Sequence, residues 1–317
     1  MLKKNKLFLI TLNIFLIIIS LILASFIVHL QHTSKKTAQK TYTVGFSIHF
    51  LHDEYTVTLV NSFKNAIKGN AQPIVVNAEG DPRKQVSDIE NFIKQKVDAI
   101  VICSLDDSSV KNSLETAQKN GIKVVTITKI KNFNADAVIY GNEYTNGYEI
   151  GKYLLKQFEH TKPVKAISID LSSQLLRIDQ RLQGFSDALK GSNIQLVNVG
   201  KADTNEEAMD YVKTMLEKDT DIHIIFGSYS NAVIGAGAAC KALNRKDIYV
   251  CGIDADKMIL NLINEGWVFA TAKQFPEEQG KECSDAVLKL LDGKSVKEQY
   301  TSPVKIISNT DTIKKSN

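Results

Sequence analysis

WVFATAKQFPEEQG, Trp267–Gly280, changes character halfway along. Its first half has the aromatic and apolar content of a strand. Its second half opens a helix, because Pro276 suits the first helical position and Glu277 and Glu278 face the positive end of the helix dipole. Gln274 therefore stands at the carboxyl end of a strand that feeds a helix. In an open α/β sheet that edge is where ligands bind, and the placement gains force if other strands end the same way.

They do. TVGFSI, PIVVNA, AIVICS and KVVTIT are short Val/Ile-rich runs of the kind covered on both faces in a parallel sheet. Helical stretches lie between them. In GDPRKQVSDIENFIKQK, Asp81 can cap, Pro82 fits the first turn, and Val86, Ile89 and Ile93 recur on one face. DDSSVKNSLETAQKNG runs to Gly121, a natural helix terminator. From about Asn142 the alternation starts afresh with KAISID, QLVNVG, IHIIFGS and IYVCGID, followed by WVFATAKQ, its helix, and PVKIIS. Two rounds imply two doubly wound parallel sheets instead of one large one, with short crossings and a cleft between two lobes.

An apolar fraction of 44% with 23% charged residues is that of an ordinary globular protein. The net charge of +4 is small and the lysines form no stripe, so no nucleic acid partner is expected. LFLITLNIFLIIISLILASFIVHL, Leu7–Leu30, is uncharged, about 24 residues long, and preceded by Lys3, Lys4 and Lys6. That is enough to cross a hydrocarbon core of roughly 30 Å, and the basic flank places the N-terminus in the cytoplasm and the rest outside. The alternative is a cleaved signal peptide, but the small residues around Ala24 and Ser25 are poorly spaced for cleavage, and no cysteine near the end of the segment offers a lipid anchor. Cys103, Cys240, Cys251 and Cys283 show neither C-x-x-C pairing nor metal spacing; Cys103 and Cys251 read as buried, inert thiols.

Among residues able to carry chemistry, His49, His52, Asp53 and Glu54 crowd one loop, yet no second His pair supports a metal site, and Asp53 reads more simply as the cap of the next helix. No metal and no cofactor are expected. There is no G-x-S-x-G elbow, no glycine-rich phosphate loop and no Cys with an evident His partner, so an enzyme is disfavoured. GAGAAC, Gly235–Cys240, has helical surroundings in which small residues allow close packing. What remains are polar residues at strand ends: Asp254, Gln274, Thr128, Lys129, and Ser228 to Asn231. Facing one crevice, they would offer several donors and acceptors to a small hydroxyl-rich ligand.

At this point the chain resembles the type 1 periplasmic binding proteins, most closely the ribose-binding branch that shares its core with the ligand domain of lactose-repressor-like regulators. The resemblance covers Tyr42 to about Thr310. It rests on VGFSIHFLHDEYTVTLVNSFKNAIKG, DPRKQVSDIENFIKQKVDAIVICSLDDSSV, KNGIKVVTITK, RIDQRLQGF, VCGIDAD and ATAKQFPEEQG in that order. It implies two Rossmann-like lobes joined by a three-strand hinge, preceded here by one transmembrane helix, with a sugar held between lobes that close around it. The divisions expected are 1–6 as a basic cytoplasmic tail, 7–30 as the anchor or signal and 31–41 as a linker. Residues 42–141 with 275–303 would form the first lobe, 142–274 with 304–310 the second, and 311–317 a tail.

By the same resemblance, Arg181 matches the arginine that binds sugar hydroxyls from the second lobe, Asp254 the acid after the G-[FI]-D strand, and Gln274 the glutamine near the hinge. The departures concern the other positions. Thr128 and Lys129 stand where ribose binders carry an Asp-Arg pair, so the hydroxyl pattern read on the first lobe must differ. Asp53, Tyr55 and Thr56 stand at the family's asparagine and paired aromatics, keeping one ring, and Tyr229 and Ser230 replace an Asn-Asp, Tyr229 offering an apolar face with a polar tip. The expected function is extracytoplasmic capture of a sugar or polyol for an ABC-type permease. The alternative is a ligand-sensing auxiliary of a membrane histidine kinase. A repressor is set aside because the membrane segment occupies the place of the DNA-binding helices.

Overall fold

The computed structural model describes residues 17–25, 41–51, 53–140, 143–158, 162–172, 176–297, 299–301 and 303–308. The chain divides between Thr41 and Tyr42. In the first unit the described residues form helix α1 (17–25), with Ile17, Leu21 and Ile22 exposed. Most of the span expected over 7–30 and nearly all of the linker lie outside the described residues. Among the described residues no helix is long and apolar enough to cross a membrane.

The second unit alternates strand and helix. Its first round runs β1 (Tyr42–Ile48), α2 (Glu54–Ile67), β2 (Ala71–Asn77), α3 (Pro82–Lys94), β3 (Ala99–Ile102), α4 (Asp107–Lys119), β4 (Lys123–Thr126) and β5 (Ala137–Tyr140). The next runs α5 (Glu143–Leu155), β6 (Val164–Asp170), α6 (Leu176–Leu189), β7 (Ile194–Lys201), α7 (Asn205–Lys218), β8 (Ile222–Gly227) and α8 (Ser230–Ala242). It continues through β9 (Tyr249–Ile253), α9 (Lys257–Asn264), β10 (Ala270–Lys273), α10 (Pro276–Leu291), β11 (Gln299–Thr301) and β12 (Lys305–Ser308). The helices begin where capping chemistry allows. Asp53, Asp81 and Asp106 each accept from the first turn that follows, and Thr204 and Glu207 form a reciprocal capping box.

Two six-stranded sheets result, in the orders β11-β5-β4-β3-β1-β2 and β12-β10-β9-β8-β6-β7. The chain passes from one to the other after β5, after β10 and after β11. The central strands of each sheet are buried on both faces. In β3, Ala99 and Val101 join the cluster that packs with Phe63 of α2 and Val287 of α10, while Ile100 and Ile102 join the one holding Ile89 and Leu114 of α3 and α4. A strand buried on both sides needs apolar residues at every position, which is why these runs show no polar alternation.

The strands pair in parallel except β12, which runs antiparallel to β10. The reason is the third crossing. β11 runs parallel to β5 toward the carboxyl edge of the first sheet, and the short link from Thr301 to Lys305 delivers the chain to the matching edge of the second, from which β12 can only run away. The sheets are parallel as expected, with this one strand the exception among the described residues. GAGAAC lies within α8 as expected: a Cβ on Gly235 would stand 2.4 Å from the Asn205 carbonyl oxygen, so α8 can approach α7 only with glycine there.

Candidate functional site

The carboxyl ends of β8, β9 and β10 bring three buried polar side chains together. Asp254 follows β9 with φ +81°, a backbone region that residues other than glycine seldom enter. Its conformation is held by neighbours: the Asp254 N–H donates to the Ala272 carbonyl at 3.0 Å, and Thr271 Oγ1 donates to the Asp254 carbonyl at 2.5 Å. The carboxylate is thereby turned toward α8, where Oδ2 accepts from the Ser230 N–H at 3.1 Å. Among the described residues Oδ1 has no partner, although Asp254 is only 7% exposed. Gln274, just past β10, is 6% exposed; its Nε2 donates to Glu143 at 3.1 Å, and its Oε1 has no partner among the described residues.

Arg181, on α6, is 5% exposed. Its Nε donates to Glu143 Oε2 at 2.6 Å and its Nη1 to the Ser228 carbonyl at 2.9 Å. Ser228 Oγ in turn donates to Asp170 at 2.8 Å, and Lys201 pairs with the other Asp170 oxygen at 3.2 Å. One polar chain thus runs from Lys201 to Gln274 along the strand ends of the second sheet. Burial pulls the Arg181 guanidinium down, but Glu143 and Asp254 outweigh it and hold the proton more tightly than usual. Burial pushes the Asp254 carboxyl up to about 7, helped by Asp256, Asp53 and Glu143 and opposed by Arg181. Burial also raises Asp256, which accepts from the Ser230 hydroxyl and feels Glu54 and Asp53.

From the first sheet the start of α2 faces this edge. Asp53 caps α2 by accepting from the Thr56 N–H at 2.7 Å, Glu54 accepts from the Lys257 N–H at 3.2 Å, and the Tyr55 hydroxyl donates to Gln279 at 2.5 Å. A cavity of about 230 Å³ lies between the two edges, lined by Glu54 and Tyr55, by Asp254 and Asp256, by Lys273 and Gln274, and by the start of α10. This is below the roughly 300–1,000 Å³ of drug-sized pockets, and it is polar.

Of the residues singled out in the sequence, Tyr55, Asp254 and Gln274 line the cavity, and Arg181 and Asp53 act on Asp254 from beside it. Three others stand elsewhere. Tyr229 turns its ring into the core with Ala202 and Val233, its hydroxyl donating to the Ala202 carbonyl. An aromatic at a helix N-cap packs its apolar body inward when a buried carbonyl can take its hydroxyl. Thr128 and Lys129 follow β4, half-buried and exposed, and do not line the cavity. His52 lies outside the described residues, and among the described residues no three His, Cys, Asp or Glu side chains are grouped to hold a metal ion. The four thiols are buried; burial pushes Cys240 up to about 12 and raises Cys251 and Cys283 as well.

The model of the periplasmic binding protein domain matches residues 44–295. The chain belongs to the periplasmic binding protein family. The ribose import binding protein of Bacillus subtilis (strain 168) is 28% identical over 270 residues, covering 84% of this chain and 88% of that one. An ABC transporter solute binding protein from Bacillus halodurans C-125, solved with bound myo-inositol, superposes with a TM-score of 0.79 at 21% identity over 88% of this chain and 99% of its own. One from Actinobacillus succinogenes 130z, solved with bound D-allose, gives 0.80 at 19% over 86% and 100%.

As a periplasmic binding protein the chain has one feature that its sequence conceals. Glu143 is 3% exposed and grips both Arg181 and Gln274. In sequence it is an acid in the first turn of a helix just past a crossing, which reads as a partner for the helix dipole. Only the approach of α6 and β10 turns it into the anchor of the site. Asp256 was hidden in the same way, as a plain helix N-cap.

Proposed function

We propose that this periplasmic binding protein captures a sugar or polyol in the crevice between its two sheets, outside the cytoplasm, and hands it to a membrane permease of the ABC type. The observation that carries the reading is the pair of unpartnered acceptors, Asp254 Oδ1 and Gln274 Oε1, each on a side chain more than nine-tenths buried and lining a cavity with residues from both sheets. Buried acceptors without partners cost free energy unless a ligand donates to them. The names of the relatives, a ribose binder and solute binders solved with myo-inositol and D-allose, support a hydroxyl-rich solute. No chemistry on the ligand is called for.

The apolar segment 7–30 supports attachment to the outer face of the membrane by a single retained helix. That tether would hold the crevice near its partner and raise the effective concentration there. It also favours a second reading, presentation of the closed, liganded protein to a membrane sensor kinase. Depleting the protein while following labelled-sugar uptake and sugar-induced transcription separates the two: a permease partner predicts immediate loss of uptake, a kinase partner loss of induction first. The binding reading itself is checked by thermal denaturation of the detergent-solubilised full chain with sugars and polyols. A ligand at a hundred times its dissociation constant adds about 2.7 kcal/mol, and a flat response across the panel would overturn the proposal.

A further inference from the structure

The cavity is unbalanced in both charge and hydrogen-bonding sense. Glu54, Asp254, Asp256 and Glu277 place four carboxylates on its lining against one ammonium, Lys273, whose Nζ stands over the Phe275 ring at 5.3 Å from its centroid. Arg181, which does not line the cavity, redresses this only in part: it favours the Asp254 charge, but its own is shared with Glu143 at 2.6 Å. Gln274 does not redress it, since its amide N–H group already donates to Glu143. The two buried atoms on its lining that have no partner among the described residues, Asp254 Oδ1 and Gln274 Oε1, are both acceptors.

A hydroxyl brings one proton to such a site and two lone pairs that themselves need donors. It leaves the charge untouched. A protonated primary amine brings three donors, no acceptor and one positive charge, and a carboxylate taken out of water is stabilised chiefly by pairing with a cation. We infer that the cavity takes a polyol bearing a protonated primary amine, an amino sugar or aminocyclitol, with the ammonium donating to Asp254 Oδ1 and Gln274 Oε1. The inference rests on the polyol-binding reading and names the group that reading leaves open. The raised Asp254 carboxyl fits it, because burial and the neighbouring Asp256, Asp53 and Glu143 oppose its charge in a way that a bound cation would reverse. Glu54 and Asp256, one from each side of the cavity, add attraction without direct contact.

The test is calorimetric titration of the detergent-solubilised full chain, at fixed low ionic strength, with matched sets: D-glucosamine, D-glucose and N-acetyl-D-glucosamine, then scyllo-inosamine and scyllo-inositol. The expected result is that in at least one set the amine binds about tenfold or more tightly than its hydroxyl parent, equivalent to ~1.4 kcal/mol, and more tightly than the acetylated form where there is one. Asp254→Asn should erase that preference. If that variant fails to fold, Asp256→Asn should reduce the preference without abolishing binding. Equal or tighter binding of the neutral member in every set that binds overturns the amine inference and leaves the polyol reading standing. Absence of binding by every member overturns both.

Discussion

Glu143 and Arg181 form a buried pair whose partners also hold Gln274 and the Ser228 carbonyl, so neither charge can be lost alone. Removing one member of such a pair strands the other, at a cost of about 3–5 kcal/mol, whereas replacing both with apolar residues of similar volume is often nearly neutral. Glu143→Leu and Arg181→Met should each lower the free energy of unfolding in urea by that amount, and the double variant by much less. Additive losses would show that the pair is not coupled. Asp254 yields a different signature. Its folded carboxyl stands near 7 against about 3.9 in an unfolded chain, so the folded state binds the extra proton between these values. Stability is therefore lost as pH rises through that window, and the loss is complete above it. Asp254→Asn removes the dependence, and its stability relative to the parent should be distinctly higher at pH 8 than at pH 5. The same difference at both values would place the native carboxyl in its ordinary range. Asp254 and Gln274 were legible in the sequence because each terminates an apolar strand pattern. Glu143 was not, because the groups that define its role lie on α6 and β10, at Arg181 and Gln274.

At the scale of elements, the position of Arg181 depends on how closely α5 meets α6. A Cβ on Gly147 would stand 1.8 Å from the Arg181 carbonyl oxygen, and one on Gly184 would stand 2.0 Å from that of Tyr144. The two helices meet backbone to backbone through reciprocal glycines, and Phe185 stacks on Phe226 beneath them with ring centroids 4.1 Å apart. Neither backbone can yield locally, so Gly147→Ala must push α6 away from α5 and carry Arg181 with it. Overpacking of this kind costs typically ~1–3 kcal/mol. The expected outcome is a lowered melting temperature together with weakened ligand affinity, although Gly147 touches no ligand; unchanged affinity in a folded variant would uncouple the helix crossing from the site. The regular elements were legible from caps and Val/Ile runs. β5 and β11 were not, because four and three residues carry too little pattern, and they owe their place to pairing, β5 with β4 and β11 with β5. The direction of β12 was equally hidden, since a strand's residues say what buries it and not which way it runs.

At the scale of the molecule, two sheets and a crevice could be read from two rounds of alternation, because each round is long enough to need its own doubly covered sheet. Which groups hold the crevice narrow could not, for they depend on how the lobes face. The Glu54 carboxylate at the head of α2 accepts from the Lys257 N–H at the head of α9, joining an element of the first lobe to one of the second. An anion at a helix N-terminus gains about 0.3–1 kcal/mol, and this gain exists only while the lobes are together. It therefore biases the equilibrium between closed and open forms in the closed direction without ligand. Glu54→Ala should release that bias. Because the four native thiols are buried, a surface cysteine introduced on each lobe can be spin-labelled selectively, and the distance distribution between labels read in the unliganded protein. The variant is expected to shift population toward longer distances by a factor of about two to five, the same free energy expressed as a ratio. Saturating ligand should restore the short distance in both proteins, since the cavity's other polar groups remain. If the unliganded distributions coincide, the contact does not govern closure, and the stiffness of the crevice must come from the three crossings alone.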